Sequence, residues 1–585
     1  MGTISDKLMR IINTKEDIRQ ALISKGYDVP TSIPFKEYAK MILDLPCKVD
    51  SFPDIEGIVA RYSASGLTNE QMAANPVWVD KTGNGHDLQM KNFAWGGMSG
   101  VGGYEMNFNL WTNNVPSIPD ISMSTTTTSV SVSVGNSTYN NNLIYIHMNN
   151  WDINKNHWLK VTSTYEDGDL VFKFYNDNNS KNIELPANGY VNIPAYPEFK
   201  GNYMYISTTS NKQGSFTIEQ LPLYPGALVF DGVDDWVGCD NLPLLPKEKG
   251  YSIIALRNWI TRYDATQYKR PLISNLNTND EGAFLIEYRK DENVNDATGS
   301  YNSFTDVYID DNNPITWQTS SSYNGQIIKK GTSKSTNKLC ICKTYFGQLS
   351  NYANAAIWEI VILDHDATEE ELTKIKDYFV KTYPWLFPDQ AWTVVGKTNE
   401  DEDRATIANI TGNGNDLILS NFGFAEGSGY NEEGQYAGYL VTDGVDDMIT
   451  SSVFQMGKDF TIVGDWKFID NKKSGTGLVK GSSFYIYNTM IGLDLYINSG
   501  SVKNSLDGIK SINAACSDGR AYDRNWNEIL ANTGNVVGSG GMLEVSSSGG
   551  RFDLIAFKNL AIYPRILSKE DCIKAYNYLQ TLKAK

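Results

Sequence analysis

LVFDGVDDWVG (residues 228–238) and LVTDGVDDMIT (440–450) are nearly the same eleven residues, 212 positions apart. Each reads as an apolar strand, an Asp-Gly turn, two more acids and a second strand. Gly232 and Gly444 accept a positive φ without a Cβ clash, and the flanking aspartates can take up turn amides. Two further markers flank this pair in the same order. WVDKTGNGHDLQM (78–90) is echoed by IANITGNGNDLIL (407–419). IWEIVILDHDATEEELTKIKDYF (357–379) is echoed by FKNLAIYPRILSKEDCIKAYNYL (557–579). Shared order across three markers indicates an internal duplication. In TGNG the glycines and an Asn that tolerates the left-handed region predict a second tight turn. Thr368 and Ser568, each with an acid three residues on, predict capped helices after the last strand of each copy.

The two copies differ in spacing. From Gly412 to Gly444 is 32 residues, whereas Gly83 to Gly232 is 149, leaving 117 extra residues in the first copy. That excess contains TTTTSVSVSV, LKVTSTY, LVFKFYND and YMYISTT, short β-branched and aromatic runs broken by Asn, Asp and Gly. It predicts an inserted β-sandwich, with the Thr/Ser/Val tract as an edge strand.

The order of TGNG, FDGVDD and a last strand followed by a capped helix resembles the concanavalin A-like, laminin-G-type jelly roll. The resemblance implies two-sheet antiparallel sandwiches and a carbohydrate- or protein-binding role, without assigning a ligand. The expected fold class is mainly β: tandem antiparallel jelly-roll sandwiches with an inserted β-sandwich and a small α-helical N-terminal anchor. The expected boundaries are 1–46 for the anchor, 57–104 plus 226–388 for the first jelly roll, 105–225 for the insert and 389–585 for the second jelly roll.

Residues 4–45 read as two or three helices, with apolar stripes at Leu8, Ile11, Ile12, Ile18, Leu22, Tyr38, Ile42 and Leu45. Their pattern resembles the leading segment of tail, fibre and other minor structural proteins of bacteriophages, especially those of gut bacteria. The resemblance implies docking on other virion proteins through those stripes, a virion location and a homo-oligomer, with a trimer as the fibre-like candidate. Size supports an anchor independently, since about 45 residues rarely bury enough surface to stand alone.

Charge narrows the function. The chain of 585 residues carries a net charge of −17, which disfavours nucleic acid and anionic membranes as partners. No apolar run approaches the ~20 residues of a membrane span. The N-terminus is charged throughout and lacks the apolar core of a signal peptide, so synthesis in a cytosol is expected. Six scattered cysteines, Cys47, Cys239, Cys340, Cys342, Cys516 and Cys572, read as free and buried. Cys340 and Cys342 are expected on one face of a strand.

Catalytic constellations are weak. His86, His147, His157 and His365 have no triad partner at motif spacing. Glu287 and Glu292 lack a paired carboxylate, and NEDEDR (399–404) reads as a solvated loop. The expected protein is therefore no enzyme and needs no cofactor. Asp231, Asp234 and Asp235, with Asp443, Asp446 and Asp447, are the metal candidates, calcium being the cation that suits clustered oxygens; a hydrogen-bonded turn is the simpler reading. Trp78, Trp95, Trp111, Trp151, Trp158, Trp236, Trp317 and Trp392 are candidates for stacking on sugars, with Trp236 expected in a packing position. The reading that follows is a phage fibre or fibre-like appendage, on head or tail, adhering to host-surface or environmental glycans. The alternatives are a bacterial surface glycan-binding protein and a polysaccharide depolymerase.

Overall fold

The computed structural model describes residues 52–584 apart from several segments, the longest being 136–145 and 290–302. The expected N-terminal anchor and Cys47 lie outside the described residues. The molecule is mainly β, built of antiparallel sheets stacked as sandwiches. Among the described pairings, only Leu285–Arg289 with Ser303–Thr305 is parallel.

The duplication is visible strand by strand. One sheet runs Gly100–Val101, Leu228–Asp231, Asn354–Leu363, Ser252–Trp259, Ile315–Thr319, Ser322–Tyr323 and Gln326–Ile327. Its counterpart runs Gly429–Asn431, Tyr439–Val441, Ile555–Tyr563, Thr461–Phe468, Ile512–Cys516, Arg520–Asp523 and Glu528–Leu530. In each sheet an early strand, Ile58–Ser63 or Gln390–Thr393, also pairs with the long central strand. The facing sheets match as well. Val77–Trp78, Leu88–Lys91, Trp236–Cys239, Leu339–Ile341 and Lys269–Ser274 correspond to Thr406–Ile407, Leu417–Ser420, Met448–Gln455, Gly540–Val545 and Thr476–Lys480.

Even an irregularity repeats. The ladder slips between Leu256 and Arg257, where Trp358 is the extra residue opposite. It slips again between Asp465 and Trp466, where Lys558 is the extra residue. A bulge at one place in both copies bends the central strand pair alike.

Each sandwich has its own apolar core. Trp78, Phe230, Ile253, Ile286 and Ile360 belong to the first, and Trp392, Leu417, Ile449, Leu543 and Phe557 to the second. Between them lies a third cluster. It joins Trp358, Phe379 and Trp385 to Tyr563, Cys572, Tyr576 and Leu579. The helices Glu369–Thr382 and Lys569–Thr581 supply much of it. Both start as the sequence predicts: Thr368 Oγ1 accepts from the Glu371 amide in a full capping box, and Ser568 Oγ accepts from the Asp571 amide.

Residues 112–220 carry sheets of their own. A five-stranded sheet runs Asn188–Ile193, His157–Ser163, Gly214–Gln220, Ser129–Val134 and Ile121–Thr125; a three-stranded one runs Asn179–Leu185, Leu170–Asn176 and Tyr203–Thr208. The Thr/Ser/Val tract is not an edge. Ser129–Val134 pairs on both sides, with Gly214–Gln220 and Ile121–Thr125. Its Val130, Val132 and Val134 enter the core, and that apolar face favours an interior place. The cysteine pair also departs from expectation. Leu339, Ile341 and Cys342 join the first sandwich core. Cys340 alternates to the other face, and Cys342 parts from it because the backbone turns there with φ 59°. The five cysteines in the described residues are free and buried.

Candidate functional site

The twin acidic corners share one hydrogen-bonding plan. Gly232 and Gly444 take φ of 77° and 70°. A Cβ on Gly232 would meet the Asn354 side chain at 2.8 Å and its amide nitrogen at 3.1 Å, so the turn needs glycine twice over. Asp231 Oδ1 accepts from the amides of Val233 (2.8 Å) and Asp234 (3.3 Å). Asp443 Oδ1 accepts from Val445 (2.7 Å) and Asp446 (3.3 Å). The third acid closes the ring: Asp235 Oδ2 accepts from the Asp231 amide at 3.1 Å, and Asp447 Oδ2 from the Asp443 amide at 2.7 Å.

A neighbouring hairpin braces each corner. Asn92 and Asn421, both with positive φ, donate side-chain amides to the carbonyls of Asp234 and Asp446 at 2.9 Å each. Ser99 and Ser428 Oγ accept from the amides of Ala94 and Gly423 at 2.8 Å each. Ser428 also donates to Asp447 Oδ1 at 3.0 Å, whereas the matching Asp235 Oδ1 is buried without a hydrogen-bond partner among the described residues. Asn69 and Asn399 staple the hairpin behind, each pairing with both backbone groups of one residue, Val101 or Tyr430. None of these serines and asparagines stood out in the sequence. The signal was present as a fourth shared marker, NFAWGGMSG against NFGFAEGSG (92–100 and 421–429).

The buried acid in each triad is shifted. Burial pushes the Asp235 carboxyl up to about 7, with the Ser99 hydroxyl opposing and Asp231 adding to the rise. Burial pushes Asp447 up to about 6, against the Asp443 amide and the Ser428 hydroxyl. In each triad one carboxylate oxygen per residue lies within 4.8 Å of the others. One oxygen each of Asp231, Asp235, Asp443 and Asp447 accepts from a turn amide, which is the hydrogen-bonded turn expected from the sequence.

The TGNG turns are likewise structural. Gly83, Gly85, Gly412 and Gly414 have positive φ, but the central Asn84 and Asn413 do not. Their side chains donate to the carbonyls of Val59 (2.9 Å) and Asp389 (2.7 Å) instead. Asp80, just before the first turn, accepts from Arg61 N, Thr82 N and Thr82 Oγ1; Asn409 does the same job in the second copy.

The histidines serve packing and caps. His157 is buried, its Nε2 2.6 Å from the Asp152 carbonyl. His365 sits between Asp364 Oδ1 at 3.2 Å and Glu371 Oε1 at 3.1 Å, at the start of a capped helix. The Tyr62 hydroxyl donates to the His86 carbonyl at 2.6 Å. His147 falls in the short strand Ile146–His147. Glu287 lies on the strand Leu285–Arg289, and Glu292 lies outside the described residues. In the NEDEDR stretch Asp401 accepts from Thr398 N and Oγ1, while Glu400, Glu402 and Asp403 are exposed.

The tryptophans divide by environment. Trp78, Trp111, Trp151 and Trp392 are buried. Trp95 stacks on Phe93 with centroids 4.9 Å apart. Trp158 packs edge-on against Tyr576 at 5.0 Å. Trp236 is half-buried, with the Lys343 ammonium 4.2 Å above its ring. Trp317 lies on the strand Ile315–Thr319. Among the described residues no helix is long and apolar enough to cross a membrane.

No family model matches the chain, and no curated protein matches it in sequence. Solved structures give low-scoring likenesses. Trypanosoma rangeli sialidase in complex with the inhibitor DANA is 10% identical, covering 80% of this chain and 85% of that one, with a TM-score of 0.25. The binding domain of botulinum neurotoxin serotype D is 10% identical, covering 60% of this chain and 89% of that one, with a TM-score of 0.21. TM-scores this low define no common fold.

Proposed function

We propose that the chain is a bacteriophage virion appendage, held to the particle by residues 1–46 and adhering to surface glycans through its sandwiches. The observation that carries this reading is the resemblance of residues 4–45 to the leading segments of phage fibre and tail proteins, set ahead of a duplicated β-sandwich. The corners support binding over catalysis. Their carboxylates hold turns, and the exposed Val233 and Val445 stand at the turn tips. Adhesion of this kind gains from copy number, since linked weak sites can exceed single-site affinity by ~10²–10⁴. A homo-oligomer, with a trimer as the candidate state, belongs to the proposal.

Deleting residues 1–46 tests the anchor. Purified particles are expected to lose the protein, by mass spectrometry, while the truncated chain keeps its melting temperature. Undiminished incorporation, or recovery of the intact protein from the bacterial envelope and not from particles, refutes the reading. Reducing-end release from a capsule polysaccharide would replace adhesion with depolymerase activity. We assign the acid triads to turn formation, so millimolar calcium and EDTA are both expected to leave the melting temperature unchanged; a calcium-dependent rise overturns that assignment.

A further inference from the structure

The two sandwiches differ at their shared bulge. In the first, the bulge residue is Trp358, fully buried, its indole donating to the Pro225 carbonyl at 2.8 Å. In the second, Lys558 occupies the bulge. By the same register Ala227 and Asn258 give way to Tyr439 and Lys467. An apolar plug has given way to a cationic cluster.

Lys467 Nζ lies 4.5 Å and Lys558 Nζ 5.7 Å from the Tyr439 ring centroid. Tyr436 packs edge-on against that ring at 6.5 Å and is half-buried. Arg524, in the turn after the strand Arg520–Asp523, is a third cation whose charge bears on Lys467 and Tyr436. Asp465, the carboxylate in the group among the described residues, accepts from the Tyr439 hydroxyl at 2.8 Å. Among the described residues Lys467, Lys558 and Arg524 form no ion pair. Among the described residues three cations therefore gather beside one acid, in a chain whose net charge is −17. Clustered, half-buried like charges oppose folding unless a counter-charge joins them. Burial holds the Lys467 ammonium down at about 8; Asp465 counters this, while Arg524 and Lys558 add to it.

We propose that this cluster binds the carboxylate of an acidic sugar, a hexuronate or sialate residue, with Tyr436 flanking the sugar ring. A guanidinium fork and ammonium groups suit a carboxylate through charge-assisted hydrogen bonds, and a partly exposed tyrosine offers an apolar face with a polar edge. The proposal rests on the glycan-adhesion reading and gives it a ligand class.

The test is calorimetric titration of the full chain with glucuronate- and sialate-terminated oligosaccharides, with neutral oligosaccharides of matched length, and with sodium sulfate. Wild type is expected to prefer the acidic set. K467M/K558M should lose at least about tenfold in affinity for it, with neutral binding unchanged and a melting temperature equal or higher. R524M provides a second, independent variant with the same expected direction should the double variant fail to fold. Equal affinity of wild type and variants for the acidic set overturns the site. So does sulfate competing as well as glucuronate, which makes it a general anion site. Neutral and acidic sugars bound equally removes this proposal and leaves glycan adhesion standing; no oligosaccharide bound removes both.

Discussion

Asp235 and Asp447 show how a turn can bury an acid and use it. Each gives one oxygen to the amide four residues earlier, and burial raises both carboxyls, to about 7 and about 6. An acid whose folded value is raised binds its proton more tightly in the folded state. Its contribution is greatest below the ordinary carboxylate range and declines as pH rises to about 7. D235N/D447N keeps an acceptor for each amide and removes the charge. The expected outcome is a flatter stability profile between pH 4 and 7 (about the window of the two shifts) and a gain on the order of 2 kcal/mol above it. Denaturant titration at several pH values checks this, and an unchanged slope would refute it. Asn69 and Asn399 make the complementary point. Each satisfies both backbone groups of a residue across the corner, so a short polar side chain substitutes for a strand neighbour.

At the scale of elements, the closing helices are fixed at their starts. Thr368 and Ser568 each take up a free amide, and Glu371 returns the bond to the Thr368 amide. T368A and S568A should each cost about 1 kcal/mol. The T368A loss should be the larger, because the Thr368 hydroxyl also holds Glu371, which in turn bonds His365. Thermal unfolding of both variants decides this; S568A as the more harmful change would contradict it. Strand position follows a different logic. Ser129–Val134 shows the alternation of a half-buried strand, and nothing in that alternation tells interior from edge. The two partners that enclose it come from opposite sides in sequence.

For the whole molecule, the last helix is the keystone. Tyr578 meets Trp358 of the first sandwich edge-on at 6.2 Å. Tyr576 meets Trp158 of the insert at 5.0 Å and Trp526 of its own sandwich at 5.7 Å. The Asn577 side chain donates to the Pro222 carbonyl at 3.3 Å. Burying aromatic rings at such a junction contributes several kcal/mol and couples units that would otherwise unfold separately. W158A is expected to split a single calorimetric transition into two, with the insert melting first. A single transition in the variant, at the wild-type width, would show that the insert is held by other contacts.

The sequence alone determined the duplication, the glycine turns, the helix caps and the mainly β class, because each depends on local backbone preference and on residue order. It also marked the size of the excess in the first copy, since an insertion changes spacing directly. Only the tertiary structure decided which polar residues matter at the corners. Asn69 lies 32 residues from Val101, and Asn92 lies 142 residues from Asp234; such pairs become neighbours through sheet stacking, which no local pattern encodes. The same holds for the cationic cluster around Tyr439. Lys467 and Lys558 lie on neighbouring strands of one sheet and Arg524 in the turn after Arg520–Asp523, far apart in the chain, and only the sheet brings their charges together.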